Sequence, residues 1–223
     1  MERQFEQDLE SLKQLLLAMA GEAERQVELA IRALVERDSA LAEQVVGGDQ
    51  VVDRRELEVD RRVIELIVRG TPLARDLRLV IAASKIAPIL ERMSDHAVNI
   101  SDQALVLNRL PALKPFITLP TMADTARSMI RDAITAFVQA DAGLARQVIS
   151  RDDVVDGMHE EIFRELLTYM IADPGTISRA LALLLVARSL ERIADQATNV
   201  AEQVVFVVEG RDIRHVWASR GDA

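Results

Sequence analysis

LERMSDHAVNISDQ, residues 90–103, returns a hundred positions later as LERIADQATNVAEQ, residues 190–203. Seven of the fourteen positions are identical, and Asp102 is answered by another carboxylate, Glu202. A repeat that kept only a packing surface would hold its apolar residues and let its polar ones drift. Here Glu, Arg, Asp and Asn are held while the apolar positions interchange, so the pattern carries chemistry as well as shape. The apolar residues still keep helical time. Ile86, Leu90, Met93, Ala97, Ile100, Ala104 and Leu107 follow at spacings of four and three, and Val186, Leu190, Ile193, Ala197, Val200, Val204 and Val207 do the same. Each series is a coiled-coil-like seam on a long helix.

The repeat extends backwards. Residues 45–68, VVGGDQVVDRRELEVDRRVIELIV, align without gaps on residues 148–171, VISRDDVVDGMHEEIFRELLTYMI. Amphipathic segments at 5–37 and 122–139 precede the two aligned blocks. Turns are expected at Asp38-Ser39, Arg69 to Pro72, Asp141 to Gly143 and Asp173 to Thr176. Pro111, Pro115 and Pro120 in LPALKPFITLP cannot continue a helix and mark a crossover between the halves. The fold expected is all-α: two tandem three-helix bundles related by an internal pseudo-two-fold repeat. The boundaries are 1–110 for the first repeat, 111–120 for the linker, 121–210 for the second repeat and 211–223 for a polar tail containing His215 and Trp217.

Composition agrees with that reading. Nearly half the residues are hydrophobic, few are aromatic, and Ala, Leu, Val, Ile, Glu and Arg dominate, which favours helix over strand. Cysteine is absent, excluding disulfides and thiolate metal sites and fitting a reducing compartment. The acidic, polar beginning MERQFEQDLESLKQ has no secretory pattern, and the longest apolar runs fall far short of the roughly 20 residues a bilayer requires. A cytoplasmic protein is expected. Its net charge of −9 disfavours nucleic acid and anionic lipid as direct partners and suits cations.

Residues four apart on a helix are offset by about 40° and residues eleven apart by about 20°, which puts Glu91, Asp95 and Asp102 on one stripe, bordered by Asn99. Glu191, Asp195, Glu202 and Asn199 form its copy. These stripes lie opposite the seams, on the outside of each bundle or in a groove beside the neighbouring helix. The preceding helices carry Asp49-x-x-x-Asp53 and Asp152-x-x-x-Asp156. Like charges four apart cost a helix roughly 0.2–0.5 kcal/mol per pair unless something neutralises them. A cation would do so, and oxygen ligands suit Mg, Mn or Fe and, less well, Zn; two helices with two carboxylates each can bridge more than one ion. Glu56 and His159, one turn farther at aligned positions, could complete a shell. Surface ion pairs with Arg54, Arg55, Arg92 and Arg192 would neutralise the same carboxylates without any metal. Met93, Met129, Met158 and Met170 read as core fillers, and His96, replaced by Gln196 in the other copy, as a surface residue. No catalytic triad, phosphate-cradling glycine loop or nucleotide fingerprint is present, so no enzyme activity is expected.

Two three-helix bundles with ERxxDxxxN in the last helix of each, preceded by DQVVD and DDVVD, resemble the PhoU family of phosphate-uptake regulators from about Phe5 to Val208. The resemblance implies a non-enzymatic negative regulator of the phosphate-starvation response. It implies multinuclear clusters of divalent or trivalent metal held by Asp49, Asp53, Glu91, Asp95, Asp152, Asp156, Glu191 and Asp195, with Asn99, Asp102, Asn199 and Glu202 as further candidates. His159 facing Glu56 breaks the symmetry and lets the clusters differ. The implied partners are the ATPase subunit of the phosphate ABC transporter and the phosphate-sensing histidine kinase, with the membrane reached only through them, and a homodimer is expected. Two other readings compete. Asp156-Gly-Met-His159 is similar to the Glu-x-x-His pair of a ferritin-like carboxylate-bridged di-metal oxidase, and a metal-free helical scaffold would treat the acidic stripes as solvated surface.

Overall fold

The computed structural model describes residues 2–48, 50–69 and 74–213, and among them there is helix but no strand. Asp49, most of the turn expected at 69–72, and His215 and Trp217 in the tail lie outside the described residues. The helices are α1 (Glu2–Val35), α2 (Ser39–Gly48), α3 (Gln50–Arg69), α4 (Ala74–Asn108), α5 (Thr118–Gln139), α6 (Ala142–Ala172) and α7 (Ile177–Glu209), with a 3-10 turn at Pro174–Thr176. The first bundle is α1, α2, α3 and α4, in which α2 and α3 together correspond to the single α6 of the second; α5, α6 and α7 form that second bundle.

The duplication reaches the turns. Arg37 and Ala140, at aligned positions, both take left-handed backbone, φ 58° and 54°, closing the first helix of each half. The next residue is an aspartate in both. Asp38 Oδ1 accepts from the N–H groups of Ala40 and Leu41 at 2.9 and 3.3 Å, and Asp141 Oδ1 from Gly143 and Leu144 at 2.8 and 3.0 Å. Each cap satisfies helix N–H groups that have no partner within their own helix. Arg37 also spans the fold, donating through Nη2 to the carbonyls of Leu107 and Asn108 at 3.1 and 2.9 Å and to that of Leu110, which closes the end of α4. Pro120 stands in the first turn of α5, where a missing N–H costs no helical bond. The crossover is tied to the second half: Lys114, nearly buried, pairs with Glu165, and Arg179 Nη1 donates to the Pro111 carbonyl at 3.1 Å.

Both seams are buried along their whole length, and the buried side chains of the two halves form one continuous core. The halves join where α4 packs on α7 and α1 on α5. Arg127 of α5 pairs with Glu28 of α1 at 2.6 Å, and Arg131 pairs with Glu24. His96 of α4 lies beside Arg192 and Asp195 of α7, and Arg78 at the start of α4 donates through Nε to the Val207 carbonyl near the end of α7 at 3.3 Å, so the two helices run antiparallel. That register sets Ala87 opposite Ala201, Ser94 opposite Ala194 and Ser101 opposite Ala187. All six are buried, and they recur every seven residues on each helix. Small side chains at heptad spacing allow two backbones a close approach along a straight seam.

Within that interface Ser94 donates its hydroxyl to Gln26 Oε1 of α1, and Gln26, fully buried, donates through Nε2 to the carbonyl of Gly48 at 3.4 Å. One glutamine thus links the α4–α7 contact to the C-terminus of α2. Substituting Gln26→Leu removes both hydrogen bonds and leaves the Gly48 carbonyl without its amide donor, and losing such a buried polar contact costs about 1–3 kcal/mol. We expect a fall in urea midpoint at unchanged slope, whereas Gln14→Leu on the exposed side of α1 leaves the midpoint in place; equal effects from the two would refute the linking role.

Candidate metal-binding carboxylate clusters

On α6 and α7 the acidic residues meet. Burial, then the carboxylates of Asp195, Asp156, Asp153 and Glu191, push Asp152 up to about 6. Burial and Asp195 raise Glu191, with Arg192 and His159 opposing. Asp195 is raised by burial and by Asp156 against the pull of Arg192. Four of the residues picked out by their i, i+4 spacing, Asp152, Asp156, Glu191 and Asp195, therefore share one electrostatic neighbourhood, with His159 at its edge. On α3 and α4 the corresponding group is looser. Asp95 is raised by burial and by Asp53 across the helix pair. Glu56 is raised by burial, Asp60 and Asp53, with Arg92 opposing. Glu91 is half-buried on α4. Asn99, Asp102 and Asn199 are exposed and Glu202 is half-buried, one to two turns beyond Asp95 and Asp195, and Asn99 turns to the groove shared with α7.

Arg192 is the local counter-ion. Its Nη1 donates to Asp195 Oδ2 at 2.9 Å and its Nε lies 3.3 Å from Glu191 Oε2, a pairing within one helix. Glu191 Oε2 and Asp152 Oδ1 are buried and accept no hydrogen bond among the described residues. A buried carboxylate oxygen on Asp152 with no hydrogen bond, and one on Glu191 whose one partner among the described residues is the ion-paired Arg192, are an unfavourable arrangement for the protein alone. Their hard-oxygen chemistry fits a divalent or trivalent ion. Among the described residues, however, no group of three or more His, Asp or Glu side chains is set around a common point that could hold a metal ion. Holding one requires these carboxylates to turn toward each other, and the first cluster also involves Asp49, outside the described residues.

The acidic faces point away from the core, whose α4 and α7 sides are apolar or small. A ferritin-like oxidase needs its carboxylates turned into the bundle, and Asp156, the first member of the Asp156-Gly-Met-His159 pair, is exposed. Sequence reasoning placed His96 on the surface; it is half-buried instead, and burial and Arg192 lower its pKa while Asp195 opposes them. Its position could be read only from the α4–α7 register. Met93 and Met129 are core residues, whereas Met158 and Met170 are half-buried against it.

The raised carboxylates have a pH signature. Asp152 binds its proton more tightly folded, at about 6, than as an ordinary aspartate near 3.9. Its protonation favours folding below about pH 4, and that contribution is lost as pH rises through 6. A shift of about two units would amount to roughly 3 kcal/mol in a dry site, and solvent screening of a half-buried side chain reduces this to about 1 kcal/mol. Chelator-treated Asp152→Asn is expected to be more stable than the parent at pH 7.5 and equal to it only below about pH 4. A constant difference across that range in thermal melts would contradict the assignment.

A model of the PhoU domain matches residues 16–104 and 119–204. The chain is 40% identical over 219 residues to the phosphate-specific transport system accessory protein PhoU homolog of Pseudomonas putida, covering 98% of this chain and 86% of the relative. To the Escherichia coli (strain K12) phosphate-specific transport system accessory protein PhoU it is 36% identical, covering 98% and 91%. The crystal structure of PhoU from Pseudomonas aeruginosa superposes with a TM-score of 0.88 at 38% identity, over 93% of this chain and all of that one. That of the phosphate transport system regulatory protein PhoU from Streptococcus pneumoniae gives 0.86 at 25% identity, over 94% and 99%.

Proposed function

The chain belongs to the PhoU family, and from that premise we propose that it is an accessory protein of phosphate transport that holds the phosphate-starvation response off when phosphate is plentiful. In this reading it is a cytoplasmic helical adaptor, not an enzyme, that couples the ATPase subunit of the high-affinity phosphate ABC transporter to the phosphate-sensing histidine kinase. It reaches the inner face of the membrane through those partners. No helix among the described residues is long and apolar enough to cross a membrane, which suits such recruitment. Asp152, Asp156, Glu191 and Asp195, and on the other half Asp49, Asp53, Glu91 and Asp95, would hold metal ions such as Fe, Mn, Mg or Zn, singly or as clusters. Bound metal supplies positive charge that cancels the mutual repulsion of each group. The chain's own residues do the rest: α6 and α7 carry Asp152, Asp156, Glu191 and Asp195 into one electrostatic neighbourhood, Asp53 and Asp95 meet across α3 and α4, and Arg192 pairs with Glu191 and Asp195.

The observation that carries the reading is the recurrence of paired carboxylates on both halves of a chain that matches accessory proteins of the phosphate-specific transport system along nearly its whole length. Deleting the gene in its own host and assaying alkaline phosphatase under abundant phosphate tests it. Derepression is expected, restored to silence by the wild-type chain, and continued repression in the deletion strain would overturn the proposal.

A further inference from the structure

The groove between α4 and α7, with a volume of about 300 Å³, is lined by donors and not by carboxylates. Its polar side chains are His96, Asn99 and Gln103 on α4 and Arg188, Ser189 and Arg192 on α7. Two guanidiniums one helical turn apart, facing an imidazole and two amides across a helix pair, form a cradle for an anion with several acceptor oxygens. Arg192 is engaged with Asp195 and Glu191. Arg188, exposed, makes no hydrogen bond or ion pair among the described residues.

The internal repeat sharpens the point. Under the pseudo-two-fold the groove has a counterpart built from Lys85, Pro88, Ile89, Arg92, Gln196, Asn199 and Gln203. The amides and one arginine are kept across the two copies, but Arg188 replaces Pro88, Ser189 replaces Ile89 and His96 replaces Gln196. Four departures from the repeat fall in one groove, the fourth being Leu185 where the counterpart has Lys85. Arg188 and Ser189 add donors where the counterpart has Pro88 and Ile89, so the cation moves from Lys85 at one end of the counterpart to Arg188, one turn from Arg192.

We propose that this groove is a binding site for a tetrahedral oxyanion of the phosphate class, with Arg188 as its principal cation and Asn99, Gln103 and Ser189 as neutral donors. The site adjoins the second carboxylate cluster through Arg192 but uses its own principal cation, Arg188, and it goes beyond the adaptor role because it does not depend on any partner.

Equilibrium dialysis of the full chain against radiolabelled inorganic phosphate tests it, after chelation so that no metal can hold the anion. One saturable site with a dissociation constant on the order of 1 mM is expected. Arg188→Ala should weaken it at least tenfold, and Arg188→Lys less. Lys85→Ala, which removes one positive charge on the counterpart side, should leave it unmoved. Melting temperatures of the variants report folding separately, since both residues are exposed. Phosphate binding that disappears on chelation, that Arg188→Ala does not change, or that Lys85→Ala weakens equally overturns the assignment. Silent alkaline phosphatase in the deletion strain would sink the regulatory role while leaving this site standing.

Discussion

Ala194→Leu is expected to lower the melting temperature by about 6–12 °C. Ala194 is fully buried where α7 crosses α4, in register with buried Ser94, whose hydroxyl is already committed to Gln26. Three added carbons must fit at a position already fully shielded from solvent, and overpacking a buried helix contact costs up to about 3 kcal/mol. For a chain of this length each kcal/mol moves the midpoint by roughly 2–4 °C. The strain would not stay local, since Ala87, Ser101, Ala187 and Ala201 share the same seam and a wedge at its centre parts them all. The same substitution at Ala172, exposed in the last turn of α6, should stay within about 0.5 kcal/mol. A midpoint change under 2 °C for Ala194→Leu would show that α4 and α7 are not held by close backbone approach. The carboxylate clusters depend on that contact for their mutual placement, so the variant is also expected to disturb both halves at once in hydrogen exchange.

That interface shows where sequence reading reaches its limit. The seams from Ile86 to Leu107 and from Val186 to Val207 were legible because large apolar residues at spacings of three and four leave no other helical face to bury. Caps at Asp38 and Asp141 were legible as turns. The small-residue stripe was not, because Ser94 and Ser101 look polar and alanine carries little hydropathy; its meaning appears only once two helices are laid in register. Gln26 was invisible for the same reason, as one amide on an amphipathic helix resembles surface until its partners are known. Pro88 would argue for a break, yet α4 runs through it, held by buried Ile86, Ala87 and Leu90 on the packed side. In the candidate site the i, i+4 pairs were legible, because helical spacing alone groups them. Which pairs face each other, and that His96 sits beside Arg192 and Asp195, depended on packing between elements far apart in sequence.

Adding Mn²⁺ to chelator-treated protein should raise its melting temperature by about 5–11 °C at a hundredfold excess over the dissociation constant. A ligand bound only by the folded state contributes about 2.7 kcal/mol at that ratio, and the conversion to temperature is the one used above. The physical source is repulsion already present in the metal-free fold. Burial raises Asp152, Glu191 and Asp195, Asp195 adds to the first two and Asp156 to all three, and Asp152 Oδ1 and Glu191 Oε2 lack hydrogen bonds among the described residues. A cation replaces that repulsion with attraction, provided the carboxylates can turn to meet it. Asp152→Asn combined with Asp195→Asn removes one ligand from each helix of the second cluster and should abolish at least half of the shift. Without metal, the same pair should stabilise the protein at neutral pH, because it removes two unfavourable charges. Asp102→Asn, exposed and about two turns beyond Asp95, should leave the response intact. Opposite signs with and without metal separate ligand loss from simple damage to the fold. A midpoint indifferent to Mn²⁺, Fe²⁺ and Zn²⁺ alike would favour the metal-free scaffold, in which the acidic faces serve only as solvated surface.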